Sequence, residues 1–240
     1  MKRRVYNCIR DAAELRQLVE DRKASYMPTG WRIWDNWFGG FQRGTIQVIA
    51  APTGHGKTTM LIAMAKLAAR KHYRILYIGT EQEEDDIFQY FDDKYDIDIV
   101  RKHSMDTWPD VIGDAEYDLI IYDYFAADSM HGEGEWGTLI HDMNTLADYA
   151  IDHHLCILTA MQADNSITRN PKEEWLHEGG YLSFSKHVTD KMWAGVYIRQ
   201  INDDILNDNV MISMFKVRNK PKDDTSRTFK MDYRSKEIII

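Results

Sequence analysis

The chain has 240 residues, of which 44% are hydrophobic and 28% are charged. These values lie close to the averages of soluble globular domains and exclude a disordered or fibrous chain. A single hydrophobic core usually stops growing near about 250 to 300 residues, so the length predicts one large domain. The net charge of −8 argues against a broad basic surface for gripping duplex nucleic acid, but it leaves room for contact through a few basic loops.

The sequence carries neither a membrane-spanning run nor a secretory signal. No uninterrupted apolar run reaches about 18 residues, and no long apolar stretch follows the basic start of the chain. We therefore expect a cytoplasmic protein without a membrane partner. The two cysteines, Cys8 and Cys156, lie far apart, and Cys156 stands in an apolar run. A buried free thiol is expected at Cys156 rather than a disulfide.

The N-terminal elements are predicted from apolar spacing and turn residues. Residues 7–24 carry apolar side chains at helical spacing, which predicts one amphipathic helix. Pro28 and Gly30 mark its end, because proline restricts its predecessor to extended geometry and glycine permits a turn. An aromatic-rich segment, residues 31–37, and a glycine-rich turn, residues 38–44, lead into the first predicted strand.

From residue 46 onward, short apolar strands alternate with helices. The predicted strands are residues 46–50, 75–79, 119–122 and 155–160, and the predicted helices are residues 57–71, 85–91 and 136–153. This alternation predicts an α/β fold with a mostly parallel central sheet flanked by helices. Further strands, which we expect to be antiparallel and to extend one edge of the sheet, are predicted at residues 193–199, 210–217, 228–233 and 237–240.

The most specific motif lies between the first of these strands and the first helix. Residues 50–59 read AAPTGHGKTT, which is typical of a phosphate-binding loop except that the strict pattern has glycine at the place of Ala51. Backbone N–H groups and the helix dipole would hold the phosphates of ATP, Lys57 would neutralise them, and Thr58 would coordinate Mg²⁺. The predicted nucleotide-binding residues are Thr53, Gly54, His55, Gly56, Lys57, Thr58 and Thr59.

Hydrolysis of ATP also needs a carboxylate beside the attacking water. In a parallel sheet it should follow a strand that ends beside the phosphate-binding loop. Glu81 follows the strand at residues 75–79 and is the predicted catalytic base. Glu83 and Glu84 belong to the same acidic run and remain the alternatives.

Two further polar residues follow predicted strands. Asp123 ends an apolar run and is the predicted metal ligand together with Thr58. Gln162 follows the strand at residues 155–160, and we interpret it as a sensor of the γ-phosphate. A polar loop residue without that role is the alternative for Gln162.

In order along residues 28–240, these features resemble the DnaB-like replicative helicases, including the ring helicases of phages. The resemblance implies a RecA-like P-loop NTPase, with a linker helix at residues 1–28 and a motor domain at residues 29–240. This family often has alanine at the place of Ala51. The matching segments are residues 29–35, which begin with Thr29-Gly30-Trp31, residues 39–44, residues 50–58, Thr80-Glu81, Asp123-Tyr124 and Met161-Gln162.

A Lys-x-Arg pattern late in the chain is the most telling part of the resemblance. In this family such a pattern reaches the γ-phosphate bound by the neighbouring subunit, which implies that Arg218 is an arginine finger and Lys216 its companion. A finger acting between subunits implies a homo-hexamer, with the helix at residues 7–24 docked on the next subunit. Basic residues that close an edge strand are the alternative.

The resemblance also implies movement along single-stranded DNA. Two loops, residues 125–138 and residues 163–180, are expected to face the channel, and Arg169 and Lys172 of the second are the predicted contacts to the sugar-phosphate backbone. A primase or a helicase loader would be a further partner. The alternatives are a RecA-like recombinase or repair ATPase, and a ring that serves as an ATP-dependent clamp or loading platform.

Overall fold

A computed structural model describes residues 8–101, 112, 116–124, 135–168, 171–182, 186–200 and 209–239. The strands are β1 (Tyr26–Met27), β2 (Phe41–Gln42), β3 (Thr45–Ala51), β4 (Ile75–Gly79), β5 (Asp98–Arg101), β6 (Leu119–Asp123), β7 (Cys156–Gln162), β8 (Ala194–Gln200), β9 (Asn209–Val217), β10 (Arg227–Asp232) and β11 (Glu237–Ile239). The α-helices are α1 (Ala12–Ala24), α2 (Arg32–Phe38), α3 (Lys57–Ala69), α4 (Glu84–Phe91), α5 (Glu135–Asp152), α6 (Glu173–Glu178) and α7 (Lys186–Thr189).

Within the described residues, the larger of two sheets contains nine strands in the order β11-β10-β9-β8-β3-β7-β6-β4-β5, and β1 pairs with β2 in the smaller one. The strands from β8 to β5 in this order are parallel to one another. β9, β10 and β11 are antiparallel to their neighbours. The predicted α/β fold, with a mostly parallel sheet and antiparallel C-terminal strands, is confirmed.

Continuous apolar runs build the centre of this sheet. Every residue of β4 and β6 is buried, as are all residues of β3 after Thr45. Strands that are covered on both faces have no face in contact with water. Their sequences are therefore nearly continuous apolar runs and do not alternate between apolar and polar residues. The parallel strands therefore all end at one edge of the sheet, and the candidate site lies at that edge.

Helices cover both faces of the sheet, and each face has its own core. On one face, α2, α3 and α4 contribute buried side chains such as Trp34, Met60 and Ile87. On the other face, α5 and α6 contribute Met143 and Leu176. Burying a side chain of this size stabilises the fold by roughly 1.5 to 3 kcal/mol, so the two cores together hold the strand ends in fixed register.

The carboxylate of Asp35 holds the segment before β3 in place through hydrogen bonds. Asp35 accepts hydrogen bonds from the backbone N–H and the hydroxyl of Thr29, at 2.9 and 2.8 Å, and from the N–H of Gly30 at 2.9 Å. Trp34 and Phe38, one helical turn apart in α2, are fully buried. The sequence predicts only an aromatic-rich segment here, whereas the structure shows a short helix.

The N-terminal helix begins later than predicted, at Ala12 instead of residue 7. Two of the apolar residues that predicted it are uncovered, since Ile9 is 90% and Leu18 is 45% exposed. Both cysteines are free, and burial raises the pKa of the Cys156 thiol to about 12. None of the described helices combines the length and the apolar character needed to cross a membrane.

Candidate nucleotide site

The turn between β3 and α3 is shaped for a compact anion. Gly54 and Gly56 have φ angles of 79° and 87°, which lie in the left-handed region that glycine adopts without strain. The N–H of His55 donates to the carbonyl of Pro52 at 3.2 Å, which closes the turn. The turn leads directly into the N-terminus of α3 at Lys57, where free backbone N–H groups and the positive end of the helix dipole attract phosphate.

The ammonium of Lys57 lies over this turn. Its Nζ donates to Oε1 of Gln162 at 2.8 Å and lies 3.4 Å from the carbonyl oxygen of Ala51. Burial lowers the pKa of Lys57, while the nearby charges of Asp123 and Glu81 oppose that effect. The structure therefore brings Lys57 and Gln162 together, with a half-buried positive charge at the mouth of the turn.

A buried carboxylate faces the first turn of α3. Asp123, at the end of β6, is 6% exposed; its Oδ1 accepts a hydrogen bond from the Thr58 hydroxyl at 3.2 Å and its Oδ2 accepts one from the Tyr77 hydroxyl at 2.6 Å. Burial raises the pKa of Asp123, and the two hydrogen bonds act against that increase. Asp123 thus stands beside Thr58, as the sequence predicted.

The donor set fits a magnesium ion better than a metal that requires a protein cage. Mg²⁺ prefers oxygen ligands, and with a nucleotide it takes one or two carboxylates together with phosphate oxygens and water. The hydroxyl of Thr58 and the carboxylate of Asp123 are such ligands. Over the described part of the chain, no group of three or more His, Cys, Asp or Glu side chains is placed to hold a metal.

The structure separates Glu81 from the two alternatives in its acidic run. Glu83 pairs with the guanidinium of Arg101 on β5, and Oε1 of Glu84 accepts a hydrogen bond from the backbone N–H of Arg101 at 3.0 Å. Glu81 has no such contact with Arg101 among the hydrogen bonds of the described residues; burial is the largest effect on the pKa of Lys57 and of Asp123, and the nearby charge of Glu81 acts to raise both pKa values. Glu81 is therefore the acid of this run that faces the nucleotide site.

Thr80 holds the ends of β4 and β6 together. Its backbone N–H and its hydroxyl both donate to the carbonyl oxygen of Asp123, at 2.8 and 3.1 Å. The N–H of Tyr124 in turn donates to the Thr80 hydroxyl at 3.2 Å. The pairs Thr80-Glu81 and Asp123-Tyr124 consequently form one connected unit.

Several contacts of the site were not predicted from the sequence. The backbone N–H of Gln200 donates to Nδ1 of His55 at 3.3 Å, so in the neutral imidazole Nε2 carries the proton. A Cβ atom added at Gly56 would lie 3.1 Å from the ring of Tyr233. Tyr77, Gln200 and Tyr233 belong to strands or turns far from the loop in sequence, so no local pattern reveals them.

Residues 27–101, which include the phosphate-binding turn and Glu81, match the family described as DnaB-like helicase C terminal domain. The resemblance to DnaB-like helicases is confirmed. No curated protein matches the chain.

Solved structures show the same fold. A DnaB-like replicative helicase, described with its interactions with primase, has a TM-score of 0.76 and 12% identity over 97% of this chain and 68% of that chain. The ATPase domain of G40P has a TM-score of 0.76 and 11% identity over 98% of this chain and 99% of that chain. The RadB recombinase has a TM-score of 0.60 and 15% identity over 87% and 98%. The fold is therefore that of RecA-like ATPase domains.

The Lys-x-Arg pattern of the DnaB-like resemblance lies at the opposite edge of the sheet from the phosphate-binding turn. Val217 pairs with Ala194 in β8, which pairs with Gln47, four residues before the end of β3. At about 3.3 Å per residue, those four residues place Val217 about 13 Å along the strands from the end of β3 and two strands to the side, and Arg218 lies one residue farther from the loop. Arg218 donates through Nε to the carbonyl of Met192 at 3.2 Å and is exposed. It does not join the site of its own chain.

The predicted DNA contacts are only partly described. Arg169 and residues 125–134 lie outside the described residues, while residues 135–138 form the first turn of α5. Lys172 is exposed, and its Nζ lies 4.4 Å from the centre of the Trp175 ring. The structure therefore places one of the two predicted basic residues beside an exposed aromatic ring.

Proposed function

We propose that this chain is the ATP-hydrolysing motor of a ring-shaped DnaB-like helicase that moves along single-stranded DNA. The observation that carries the proposal is that five side chains from four different elements lie together at one edge of the sheet. They are Lys57, Thr58, Glu81, Asp123 and Gln162.

Glu81 is the proposed catalytic base. In the reaction, the carboxylate of Glu81 accepts a proton from the attacking water, and the water oxygen bonds to the γ-phosphorus. The bond from that phosphorus to the β–γ bridging oxygen breaks, so ADP and phosphate are released. The closeness of the Glu81 charge to Lys57 and Asp123 supports this assignment, whereas Glu83 and Glu84 are engaged with Arg101.

The phosphate-binding residues would hold ATP, and Thr58 and Asp123 would hold Mg²⁺. The N–H groups of residues 53–59 and the ammonium of Lys57 would bind the β- and γ-phosphates. A bound Mg²⁺ supplies positive charge that offsets the charge on the phosphate oxygens. The hydrogen bond between Lys57 and Gln162 supports a sensor role for Gln162, because an arriving γ-phosphate competes with Gln162 for the same ammonium.

Arg218, with Lys216 beside it, is proposed to complete the nucleotide site of the neighbouring subunit in a homo-hexamer. The support is its place at the far edge of the sheet, from which an arginine side chain cannot reach the turn of its own chain. Arginine fingers in other phosphoryl-transfer proteins contribute roughly 10³ to 10⁵ in rate.

The remaining parts of the proposal concern assembly and DNA. Residues 1–28 would be the linker and residues 29–240 the motor domain, with the uncovered Ile9 and Leu18 of the linker packed on the next subunit. Lys172 and Arg169 would contact the DNA backbone. A primase or a helicase loader would bind the assembled ring.

Two measurements test the proposal. ATP turnover should rise when single-stranded DNA is added, and a non-hydrolysable ATP analogue should give a particle with the mass of six chains. A protein that stays a single chain and hydrolyses ATP at the same rate with and without DNA would contradict both the ring assembly and the movement along DNA.

A recombinase or repair ATPase is the second candidate, favoured by the shared fold with the RadB recombinase. The shape of the particle with ATP and DNA separates the two, because a recombinase forms a filament and a helicase forms a closed ring. Absence of ATP turnover would instead favour an ATP-dependent clamp or loading platform.

A further inference from the structure

A cavity of about 230 Å³ lies on the α3 face of the sheet, away from the candidate nucleotide site. Lys66, which lines it, follows Lys57 by nine residues in α3, or about 13 Å along the helix axis. The other walls are the segment from α4 to Tyr95 and the turn between β10 and β11. The remaining lining residues are Gln89, Tyr90, Phe91, Lys94, Arg234, Ser235, Lys236 and Glu237.

The cavity is strongly basic in a chain whose net charge is −8. Four of its lining side chains are cationic, and Glu237 is the one acidic residue among them. Glu237 is already engaged, because its Oε1 accepts hydrogen bonds from Arg70 at 2.6 Å and from the Tyr95 hydroxyl at 2.9 Å. The cavity walls therefore carry four cations and one carboxylate, and that carboxylate is shared with Arg70.

Lys66 shows this imbalance most clearly. Lysine side chains are rarely buried, yet Lys66 is only 6% exposed. Its Nζ donates to the carbonyl oxygen of Ser235 at 2.6 Å and lies 5.4 Å from the Tyr95 ring, whereas an ammonium has three N–H donors. Burial lowers the pKa of Lys66; Glu237 opposes this, and the charges of Arg70, Lys236 and Lys94 add to it.

We propose that this cavity binds a phosphate group. A phosphate carries up to two charges and several acceptor oxygens, which suits convergent ammonium groups and a guanidinium. The volume is that of about eight water molecules at roughly 30 Å³ each, enough for inorganic phosphate or pyrophosphate. The source is either a free phosphorylated molecule or the backbone of a nucleic acid.

A phosphate in this cavity would join three elements that lead to the nucleotide site. α3 begins at Lys57, α4 follows Glu81, and the β10–β11 turn begins with Tyr233, whose ring lies beside Gly56. The binding site itself does not depend on the proposed ATPase function.

The test measures pyrophosphate binding by calorimetry in a Lys57→Ala background, which weakens binding at the phosphate-binding turn because its ammonium is removed. The double variant Lys94→Gln with Lys236→Gln should weaken binding by roughly tenfold or more. The matched control, Lys191→Gln with Lys230→Gln, removes the same charge from exposed positions outside the cavity and should leave binding unchanged. Melting temperatures without anion show that each variant is folded.

Competition with a single-stranded oligonucleotide distinguishes the two sources. Displacement of pyrophosphate by the oligonucleotide assigns the site to a nucleic-acid backbone, and its failure assigns the site to a free phosphorylated molecule. Either result keeps the phosphate site. The proposal is overturned if the Lys57→Ala protein binds no pyrophosphate, or if the control pair weakens binding as much as the cavity pair.

Discussion

The ammonium of Lys57 donates a hydrogen bond to the side-chain carbonyl of Gln162, and the two atoms lie 2.8 Å apart. Lys57 belongs to the phosphate-binding turn and Gln162 to the end of β7, so this bond links that turn to the segment that follows β7. The predicted DNA contact Lys172 lies in that segment. A γ-phosphate that draws Lys57 away from Gln162 would release this link.

The first prediction concerns that link. Gln162→Ala should keep the binding of a non-hydrolysable ATP analogue but reduce the stimulation of ATP turnover by single-stranded DNA by about tenfold or more. The reason is that a hydrogen bond to a charged group contributes about 1.5 to 3 kcal/mol. Turnover measured with and without DNA checks it, and wild-type stimulation in the variant would remove Gln162 from the sensor role.

Asp123→Asn should separate stability from activity. Burial raises the pKa of Asp123, so its ionised form opposes folding, and its contribution to stability is present at low pH and lost as pH rises through the folded pKa. Neutralising the side chain should therefore leave the melting temperature at neutral pH unchanged or raised, while magnesium-dependent ATP turnover is lost. A variant that loses stability by more than about 2 kcal/mol would show that the charge supports the fold.

Tyr77→Phe should move the pH dependence of turnover. The Tyr77 hydroxyl donates to Asp123 at 2.6 Å and so helps keep the carboxylate ionised. Without this bond the pKa of Asp123 rises further, and turnover should fall at a higher pH on the acidic side than in the wild type. Turnover at neutral or higher pH should change little. A pH profile identical to that of the wild type would contradict this account.

Gly56→Ala and Gly54→Ala form a matched pair. Both glycines have positive φ, so each alanine is expected to destabilise the chain by about 1 kcal/mol through backbone strain. At Gly56 the new methyl would also lie 3.1 Å from the Tyr233 ring, whereas at Gly54 nothing lies within 4 Å. Chemical denaturation should therefore show the larger loss for Gly56→Ala. Equal losses would mean that the Tyr233 ring moves aside freely.

The sequence predicts the central strands and the acids that follow them for a clear physical reason. β4 and β6 are buried on both faces, so ILYIG and LIIYD stand out as apolar runs. Because parallel strands end at one edge, Glu81 and Asp123 could be placed near the loop before any contact was known. The choice between Glu81, Glu83 and Glu84 needed the structure, since it depends on Arg101 of a strand that was not predicted.

The sequence does not predict β5 and α2, because both elements depend on tertiary packing. β5 is a four-residue edge strand with a charged residue at each end and only partial burial, so its sequence resembles a loop. α2 contains three aromatic residues, which have modest helix propensity, and it is fixed by the burial of Trp34 and Phe38. The contacts of His55 with Gln200 and of Gly56 with Tyr233 span long stretches of sequence, which no local pattern encodes.

The central claim, that Arg218 completes the nucleotide site of a neighbouring subunit, is tested most directly by mixing two inactive variants. Lys57→Ala lacks an intact loop and Arg218→Ala lacks the finger, so each alone should hydrolyse ATP at least about 10³-fold more slowly than the wild type. In an equal mixture, about one quarter of the subunit interfaces would pair an intact loop with an intact finger. The account predicts that ATP turnover reappears on mixing. A mixture as inactive as its two components, or an Arg218→Ala protein with full turnover, would contradict it.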